Sequence, residues 1–453
     1  MKNLSPLDKA AAGVMIAAVA LIGFVILFGG QAGVRVTTSL PERGEIGPLG
    51  VITLKFSESV DRQMTEALVE IQPKADVTFQ WADLQTLQIV PAGPFELNTV
   101  YTLTLRAGVV TQSEHELKSD QSWGFEVRVP WVAYLNTEND QSSIWAVDLN
   151  GNPPRQLTDP SVKVMGFDAA RNGEFIVFHS VNTQGGIDLW RVSRAGGDQV
   201  VLLDCGRDRC TAPAISPDGR RVAYSRELAG PGPDLPYGSP RVWLLDVPSG
   251  QDGPIYEDQQ VLGYRPTWSP DGSQLASFDG LADQIRLLDL ASGEQLIFSS
   301  NTGGPVTWSP DGRTFLFTDV VQNEFGLHTR VRMADLGLNE TITLIGENDE
   351  RDYLYTSLLW STLDDQVLLG KRADGDNPAQ EFWLFDPGRL DGIVIAGQPD
   401  HAYNSPQWDV WGSALVFQQF KLKGVYKPGI GMWKTGFREP LVIAEGLMPH
   451  WLP

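Results

Sequence analysis

The stretch Trp268-Ser269-Pro270-Asp271-Gly272 recurs almost unchanged at Trp308-Ser309-Pro310-Asp311-Gly312, and Ile215-Ser216-Pro217-Asp218-Gly219 is a third copy with a smaller first residue. Degenerate copies, which keep only part of the pattern, lie around Phe167, Trp360 and Trp408. Neighbouring copies are roughly 40 to 53 residues apart, a period typical of supersecondary units stacked side by side.

Each copy stands between two apolar segments. In Ser-Pro-Asp-Gly, proline presets φ, aspartate bonds its own backbone and glycine takes the last position, so the tetrapeptide predicts a tight turn. A second alternating segment follows, such as Arg221-Val222-Ala223-Tyr224, and then a third, such as Val242-Trp243-Leu244-Leu245-Asp246. A turn around Ser249-Gly250 leads to a fourth. Four short antiparallel strands with this punctuation predict one blade of a β-propeller.

Counting the inner strands of the blades favours a seven-bladed ring, with six or eight blades left open. Six inner strands centre on Phe167, Ile215, Trp268, Trp308, Trp360 and Trp408. Because Trp131-Val132-Ala133-Tyr134 has no inner strand before it, we expect Pro449-His450-Trp451 to complete the first blade and close the ring. The repeated tryptophans predict packing between blades rather than ligand stacking.

The segment Ser143-Ile144-Trp145-Ala146-Val147-Asp148-Leu149-Asn150-Gly151, followed by Arg155-Gln156-Leu157-Thr158, resembles the TolB-type propeller repeat. With the Ser-Pro-Asp-Gly copies, the resemblance covers residues 131–453. It implies the fold, although TolB itself has six blades. It implies no single function, because the repeat occurs in peptidase-associated, periplasmic and surface proteins.

Residues 31–130 are predicted to form a separate β-sandwich. Alternating segments such as Val51-Ile52-Thr53-Leu54-Lys55-Phe56, Tyr101-Thr102-Leu103-Thr104-Leu105 and Trp123-Gly124-Phe125-Glu126-Val127 are typical of an Ig-like domain. The pattern lacks the Cys…Trp…Cys spacing of antibody domains. It resembles the bacterial Ig-like domains of surface-layer proteins, of the SbsA type, and that resemblance implies a spacer.

The N-terminal region predicts a membrane anchor. Residues 10–30 carry no charge, and at about 1.5 Å per residue they would span a bilayer core of roughly 30 Å. Lys2 and Lys9 precede them, which favours residues 1–9 in the cytoplasm and a single-pass protein with most of its chain extracytoplasmic. A cleaved signal peptide is the alternative.

Composition narrows the range of partners. The 453 residues carry a formal net charge of −21, and phosphate recognition needs a basic patch, so nucleic acid is excluded as an expected partner. The only two cysteines, Cys205 and Cys210, are expected to form a structural disulfide, because a redox or metal site would need Cys-x-x-Cys or further ligands.

No catalytic motif accompanies the repeat. The sequence contains no Gly-x-Ser-x-Gly elbow, Walker loop, dinucleotide fingerprint or zincin motif, and no cofactor or metal is expected. The turn aspartates Asp218, Asp271 and Asp311 lie on different blades, so we interpret them as structural. In prolyl-oligopeptidase-type enzymes a hydrolase domain adjoins the propeller, and we expect none here.

Loops of variable length point to a binding face. The connections between the second and third strands of all blades emerge on one face, where a rigid scaffold can present binding residues. The longer ones are predicted at 226–240 in blade three, 319–329 in blade five, 372–381 in blade six and 419–431 in blade seven. The candidate binding residues on them are Tyr237, Phe325, Lys421, Lys423, Tyr426 and Lys427. Tolerated insertion without function is the alternative.

These features favour a non-enzymatic, membrane-anchored protein that presents its propeller to envelope proteins, peptides or glycans. An enzymatic alternative is a hydrolase or lyase of envelope glycans, for which two carboxylates about 5–10 Å apart in a deep pocket would be expected. A third possibility is a purely structural role in assembly with other envelope components.

Overall fold

The computed structural model describes residues 34–40, 44–138, 141–232, 235–323, 326–346, 353–373, 379–424 and 426–453. They divide into two compact units, with the boundary after Arg128. Almost all regular structure is strand, so the predicted all-β class is confirmed. The predicted anchor, residues 10–30, lies outside the described residues, and no helix within them is long and apolar enough to cross a bilayer.

The first unit consists of two four-stranded sheets. Its strands are β1 (Val36–Thr38), β2 (Glu45–Ile46), β3 (Ile52–Phe56), β4 (Val69–Gln72), β5 (Val77–Trp81), β6 (Thr86–Pro91), β7 (Val100–Leu105) and β8 (Gln121–Val127). One sheet has the order β1-β3-β6-β5 and the other β2-β8-β7-β4. One six-residue helix, α1 (Arg62–Ala67), begins after Asp61, whose carboxylate accepts the Met64 N–H at 2.9 Å.

Strand alternation builds the core of this unit. Along β3 the residues Ile52, Leu54 and Phe56 are buried while their neighbours are more exposed, as expected for a strand with one covered face. Tyr101 and Phe125 stack across β7 and β8 with ring centroids 5.3 Å apart. The predicted β-sandwich is therefore present.

The second unit contains seven four-stranded blades among the described residues. Blade one has β9 (Trp131–Glu138), β10 (Gln141–Asp148), β11 (Arg155–Gln156) and β36 (Leu447–Leu452); blade two has β12 (Val164–Ala169), β13 (Phe175–Val181), β14 (Ile187–Ser193) and β15 (Val200–Leu203). Blade three has β16 (Arg209–Ile215), β17 (Arg221–Glu227), β18 (Arg241–Asp246) and β19 (Asp252–Pro254); blade four has β20 (Tyr264–Trp268), β21 (Gln274–Asp279), β22 (Gln284–Asp289) and β23 (Gln295–Ser299).

The remaining three blades follow the same order. Blade five has β24 (Thr307–Trp308), β25 (Thr314–Asn323), β26 (Gly326–Asp335) and β27 (Glu340–Ile345). Blade six has β28 (Tyr353–Trp360), β29 (Val367–Ala373), β30 (Glu381–Phe385) and β31 (Gly392–Ala396). Blade seven has β32 (His401–Trp408), β33 (Ala414–Lys421), β34 (Gly429–Lys434) and β35 (Leu441–Glu445).

The Ser-Pro-Asp-Gly segments form the turns between the first two strands of blades three to five. In the blade-four copy, Ser269 Oγ donates to Asp271 Oδ1 at 2.6 Å and accepts the Gln274 N–H at 2.9 Å. Gly272 has φ +72°, a backbone conformation that favours glycine. The same bonds recur around Asp218 and Asp311, so the interpretation of these aspartates as structural is confirmed.

The repeated tryptophans pack between blades, as predicted. Each is buried against the preceding blade; the five are Trp268, Trp308, Trp360, Trp408 and Trp451. The indole of Trp268 also donates to Ala214 O at 2.9 Å, and that of Trp451 donates to Gln407 O at 3.1 Å. A tryptophan therefore fills each of these five seams, and at Trp268 and Trp451 it also forms a hydrogen bond across the seam.

The C-terminal strand closes the ring. Strand β36 pairs antiparallel with β9, with Trp451 opposite Val132 and Leu452 opposite Trp131. The Arg194 guanidinium of blade two then donates to Val129 O at 2.9 Å, to Pro453 O at 2.8 Å and to the carbonyl of Leu452. The expectation that the C-terminal strand completes blade one is therefore confirmed.

The predicted long loop of blade five is wrong. Instead of a loop over 319–329, β25 and β26 continue as a hairpin to the Asn323↔Gly326 pair. The reason is local, because Val320 and Val321 are β-branched and fit opposite Thr329 and His328 on paired strands. Phe325 lies outside the described residues.

Candidate functional site

The loop face has its most tightly built part at blades two and three. There the disulfide between Cys205 and Cys210 joins the end of blade two to the first strand of blade three, confirming the predicted bridge. Three segments meet around it: residues 182–186, residues 205–210, and the described parts of the blade-three loop, 228–232 and 235–240. We call this region the disulfide corner.

Buried polar groups hold the corner together. Asp188, which is 5% exposed, accepts hydrogen bonds from the Cys205 N–H at 2.9 Å and from Asn182 Nδ2 at 2.8 Å. Asn182 Nδ2 also donates to Gly206 O at 2.7 Å. A side chain at Gly186 would place its Cβ 2.2 Å from Gly206 O, so only glycine permits this approach. The backbone of the corner is therefore preorganised.

Tyr237 fastens the blade-three loop to this base. Its hydroxyl donates to Gly185 O at 3.3 Å, and the Arg209 guanidinium lies 3.7 Å from its ring centroid. Arg209 also lies 3.7 Å from a Glu227 carboxylate oxygen, while Arg207 and Arg209 are both exposed. The corner thus presents two cations and a partly exposed aromatic ring on an acidic protein.

The blade-seven loop holds four of the candidate residues. Lys421 Nζ lies 4.5 Å from the ring centroid of Tyr426, which is 59% exposed, and Lys423 is exposed beside them. Lys427 pairs with Glu138 of blade one at 3.1 Å and with Glu445 at 3.7 Å. The hydrogen bond to Glu138 raises the pKa of Lys427, so it serves as a link between blades.

The structure therefore separates the candidate residues into two places. Lys421, Lys423, Tyr426 and Lys427 share one loop of blade seven, whereas the contacts of Tyr237 lie within blades two and three. Blade one and blade two stand between the two loops on one side of the ring. A single small ligand is not a natural occupant of both, but an extended partner is.

Facing residues of the inner strands form a second polar constellation. Asp168 of β12 accepts the Ile215 N–H at 2.7 Å and the Ala169 N–H at 2.9 Å. His450 Nδ1 of β36 lies 3.6 Å from Asp168 Oδ1. Their side chains keep 26% and 19% of their area accessible although protein surrounds both. This combination fits residues on the wall of the central channel.

Burial shifts the pKa values of Asp168 and His450 in opposite directions. Burial raises the pKa of Asp168 to about 6 and lowers the pKa of His450 to about 4. Near neutral pH the pair is therefore a carboxylate beside a neutral imidazole. That arrangement differs from the two carboxylates expected for the enzymatic alternative.

Metal ligands do not converge in the part of the chain that the structure describes. No group of three or more His, Cys, Asp or Glu side chains there could hold a metal ion. The turn carboxylates are already occupied by local hydrogen bonds, as for Asp311 with Ser309 Oγ and the Arg313 N–H.

Sequence reasoning missed Arg207, Arg209 and the Asp168–His450 pair. The two arginines were visible inside Cys205-Gly206-Arg207-Asp208-Arg209-Cys210, where a disulfide loop rich in cations is itself a signal. The Asp168–His450 pair had a weaker one. Both residues lie near the end of an inner strand, Asp168 one place and His450 two places before the last residue, yet only ring closure brings them together.

Comparison with known proteins supports both halves of the architecture. Residues 31–127 match the family of bacterial Ig-like domains. An oligogalacturonate lyase solved in complex with manganese is 14% identical with a TM-score of 0.50, and the match covers 70% of this chain and 85% of that one. TolB from Acinetobacter baumannii is 18% identical with a TM-score of 0.43, covering 71% and 82%.

A curated relative matches only a short part of the chain. The protein described as uncharacterized peptidase YuxL from Bacillus subtilis (strain 168) is 31% identical over 113 residues, which is 24% of this chain and 17% of that protein. The chain thus spans about a sixth of that relative. Residues 31–127 thus resemble bacterial Ig-like domains, and the strands that follow form a β-propeller.

Proposed function

We propose that the protein is a non-catalytic binding protein whose propeller presents its loop face to an envelope protein, peptide or glycan. The observation that carries the proposal is the disulfide corner. Exposed Arg207 and Arg209 and the ring of Tyr237 stand on a backbone fixed by a disulfide and buried hydrogen bonds. Preorganised aromatic and cationic side chains lose little entropy on binding.

The location that fits this role is outside the cytoplasm, with residues 10–30 as a membrane anchor and the Ig-like domain as spacer. A disulfide persists in oxidising compartments, which supports this placement. Alkylation of intact cells with a membrane-impermeant maleimide, before and after reduction, tests it. Labelling of Cys205 and Cys210 only after reduction is expected, whereas labelling without reduction contradicts it.

Site-specific photo-cross-linking tests the binding face. A photoreactive residue at Arg207 is expected to give a discrete cross-linked product on intact cells. The matched control is Arg313, whose side chain is 86% exposed. It lies at a turn between the first and second strands of blade five, at the end of the strands away from the loop face. Equal products from both positions, or none from Arg207, would count against a specific loop-face partner.

The Asp168–His450 pair is the one observation that favours the enzymatic alternative, and a cleavage assay tests it. A carboxylate and a neutral imidazole on a channel wall are groups that general acid–base catalysis uses. The purified protein would be incubated with envelope polysaccharide, and new chain ends would be measured for the wild type and His450→Gln. Cleavage that His450→Gln abolishes while the fold survives would favour the alternative over the binding proposal.

A further inference from the structure

A cleft on the rim of the propeller lies between blades three and four, away from the loop face. It encloses about 850 Å³. Its walls are the outer strand of blade three, the connecting segment 255–263 and the last two strands of blade four. This volume lies within the range of sites that hold a ligand or a short peptide segment.

The floor of the cleft is apolar. Tyr256, Val261 and Leu288 form a buried cluster, and Ile255 and Leu290 pack against it. The connecting segment is held in place because Arg241 Nη2 donates to Tyr256 O at 2.8 Å and to the carbonyl of residue 258 at 3.1 Å. The floor is therefore a fixed surface that can accept aliphatic side chains.

The rim is acidic. The single lining cation, Arg286, pairs with Asp279 at 2.8 Å, and the Asp279 side chain is only 2% exposed. Five carboxylates, in contrast, line the cleft: Asp246, Asp252, Glu257, Asp258 and Asp289. Arg226 offsets the charge of Asp252 at 3.0 Å, and the charges of Arg220 and Arg221 act on Asp246, so Glu257, Asp258 and Asp289 supply most of the negative charge of the rim.

The turn carboxylates stay ionised. Asp246 accepts hydrogen bonds from Ser249 Oγ at 2.6 Å and from the Ser249 N–H at 2.9 Å. Asp289 accepts the equivalent bonds from Ser292. These hydrogen bonds lower the pKa of both carboxyls, and for Asp246 the charges of Arg220 and Arg221 lower it further.

We infer that this rim cleft binds an extended peptide segment of a partner protein in which lysine or arginine alternates with aliphatic residues. The aliphatic side chains would lie on Ile255 and Leu290, which are partly exposed above the buried Tyr256–Val261–Leu288 cluster, and the basic ones would reach Glu257 and Asp258. Pro254 on the outer strand has no N–H to donate, so recognition is by side chains rather than by an added strand. This site is separate from the loop face and does not depend on its function.

Isothermal titration of the purified full chain with the capped pentapeptide Leu-Lys-Val-Lys-Leu tests the inference. Saturable binding that weakens with salt is expected for the wild type. Glu257→Lys with Asp258→Lys should weaken it by at least about tenfold, because two attractions become repulsions. Asp364→Lys with Asp365→Lys is the matched control, since it makes a similar reversal at an exposed acidic pair elsewhere and should leave affinity within about twofold.

A second pair of variants tests the floor. Leu290→Ser should weaken the peptide while leaving its salt dependence unchanged. Leu336→Ser is the control, because Leu336 N–H bonds Arg313 O at 3.1 Å just as Leu290 N–H bonds Ser273 O at 3.0 Å in blade four. The inference is overturned if no saturable binding occurs, if Leu-Ser-Val-Ser-Leu binds equally well, or if control and test variants lose affinity alike.

Discussion

Two seams of the ring are held in opposite ways. At the disulfide corner, a covalent bond joins Cys205 and Cys210, which are five residues apart. At the closing seam, strand pairing and the packing of Trp451 and Leu452 join β36 to β9, and Arg194 binds carbonyls next to both strands. The covalent bond thus joins two residues that are already close in sequence. The seam that joins residues far apart in sequence depends on non-covalent contacts.

The difference implies that loss of the disulfide is a moderate change and loss of the closing strand a global one. A bridge across a short loop removes little entropy from the unfolded chain. An inner strand, in contrast, covers the edge of β9 and supplies Trp451 to the core shared by blades one and seven.

Deleting residues 446–453 is expected to have the largest effect. It exposes the edge of β9 and empties the space of Trp451, so we expect a loss of more than about 5 kcal/mol, comparable to the stability of a whole domain. Calorimetry and size-exclusion chromatography of the full chain with and without these residues would show a lost cooperative transition and aggregation. An unchanged melting temperature in a monomer would mean that blade one closes in another way.

Arg194→Ala should be the next largest change. It leaves the carbonyls of Val129, Leu452 and Pro453 without this charged donor, which is expected to cost about 2–3 kcal/mol in urea unfolding. Arg191→Ala is the control, because Arg191 stacks on Phe175 at 4.1 Å without touching the chain ends. Equal losses from both variants would argue against a special role for the closing seam.

Replacing Cys205 and Cys210 by alanine should cost about 2 kcal/mol, the chain-entropy value for so short a loop. The reference is the wild type in dithiothreitol, which should unfold at the same lower temperature as the double variant. The double variant itself should not respond to the reductant. A reductant-insensitive wild type would contradict a formed bridge.

Asp168→Asn should produce the smallest change, and one that depends on pH. The folded state binds a proton on Asp168 between its ordinary pKa of 3.8 and its pKa of about 6, so this group lowers stability as pH rises through that window. Asparagine carries no charge to bury. The variant should therefore be more stable than the wild type by about 1–2 kcal/mol above pH 6, and the gain should vanish near pH 4.

Asp168→Asn must be compared with the wild type at each pH, because His450 and His179 change the free energy of unfolding with pH in the opposite direction to Asp168. Burial lowers the pKa of both to about 4, so they favour folding above pH 6.5 and lose that contribution as pH falls. Both remain present in Asp168→Asn. Asp365→Asn, at an exposed carboxylate, is the control, and a pH-independent gain in Asp168→Asn would contradict the assignment.

Blade spacing and ring closure could be predicted because they depend on local chemistry. Ser-Pro-Asp-Gly determines a turn wherever it stands, and Pro449-His450-Trp451 repeats the inner-strand pattern Pro266-Thr267-Trp268. Helix α1 was not predicted, since its six residues carry no usable period. The sequence of the blade-five hairpin predicts a loop because polar residues interrupt its run of β-branched residues.

The candidate site could be predicted only in part. Loop positions follow from strand order, and the structure has Tyr237 between β17 and β18 and Lys421 at the end of β33. Their actual contacts depend on how neighbouring blades and loops pack, as in the stacking of Arg209 on Tyr237. Asp168 and His450 belong to opposite ends of the propeller sequence, and no local pattern encodes their 3.6 Å approach.

The β9–β36 pairing also dictates an order of events during synthesis. Leu452 emerges from the ribosome about 320 residues after its partner Trp131, so the first blade stays incomplete until β36 has been translated. Contacts of such long sequence separation form slowly because the chain must first bring its ends together. A chain that terminates before β36 retains an unpaired edge on β9, which is exposed to pairing with another chain.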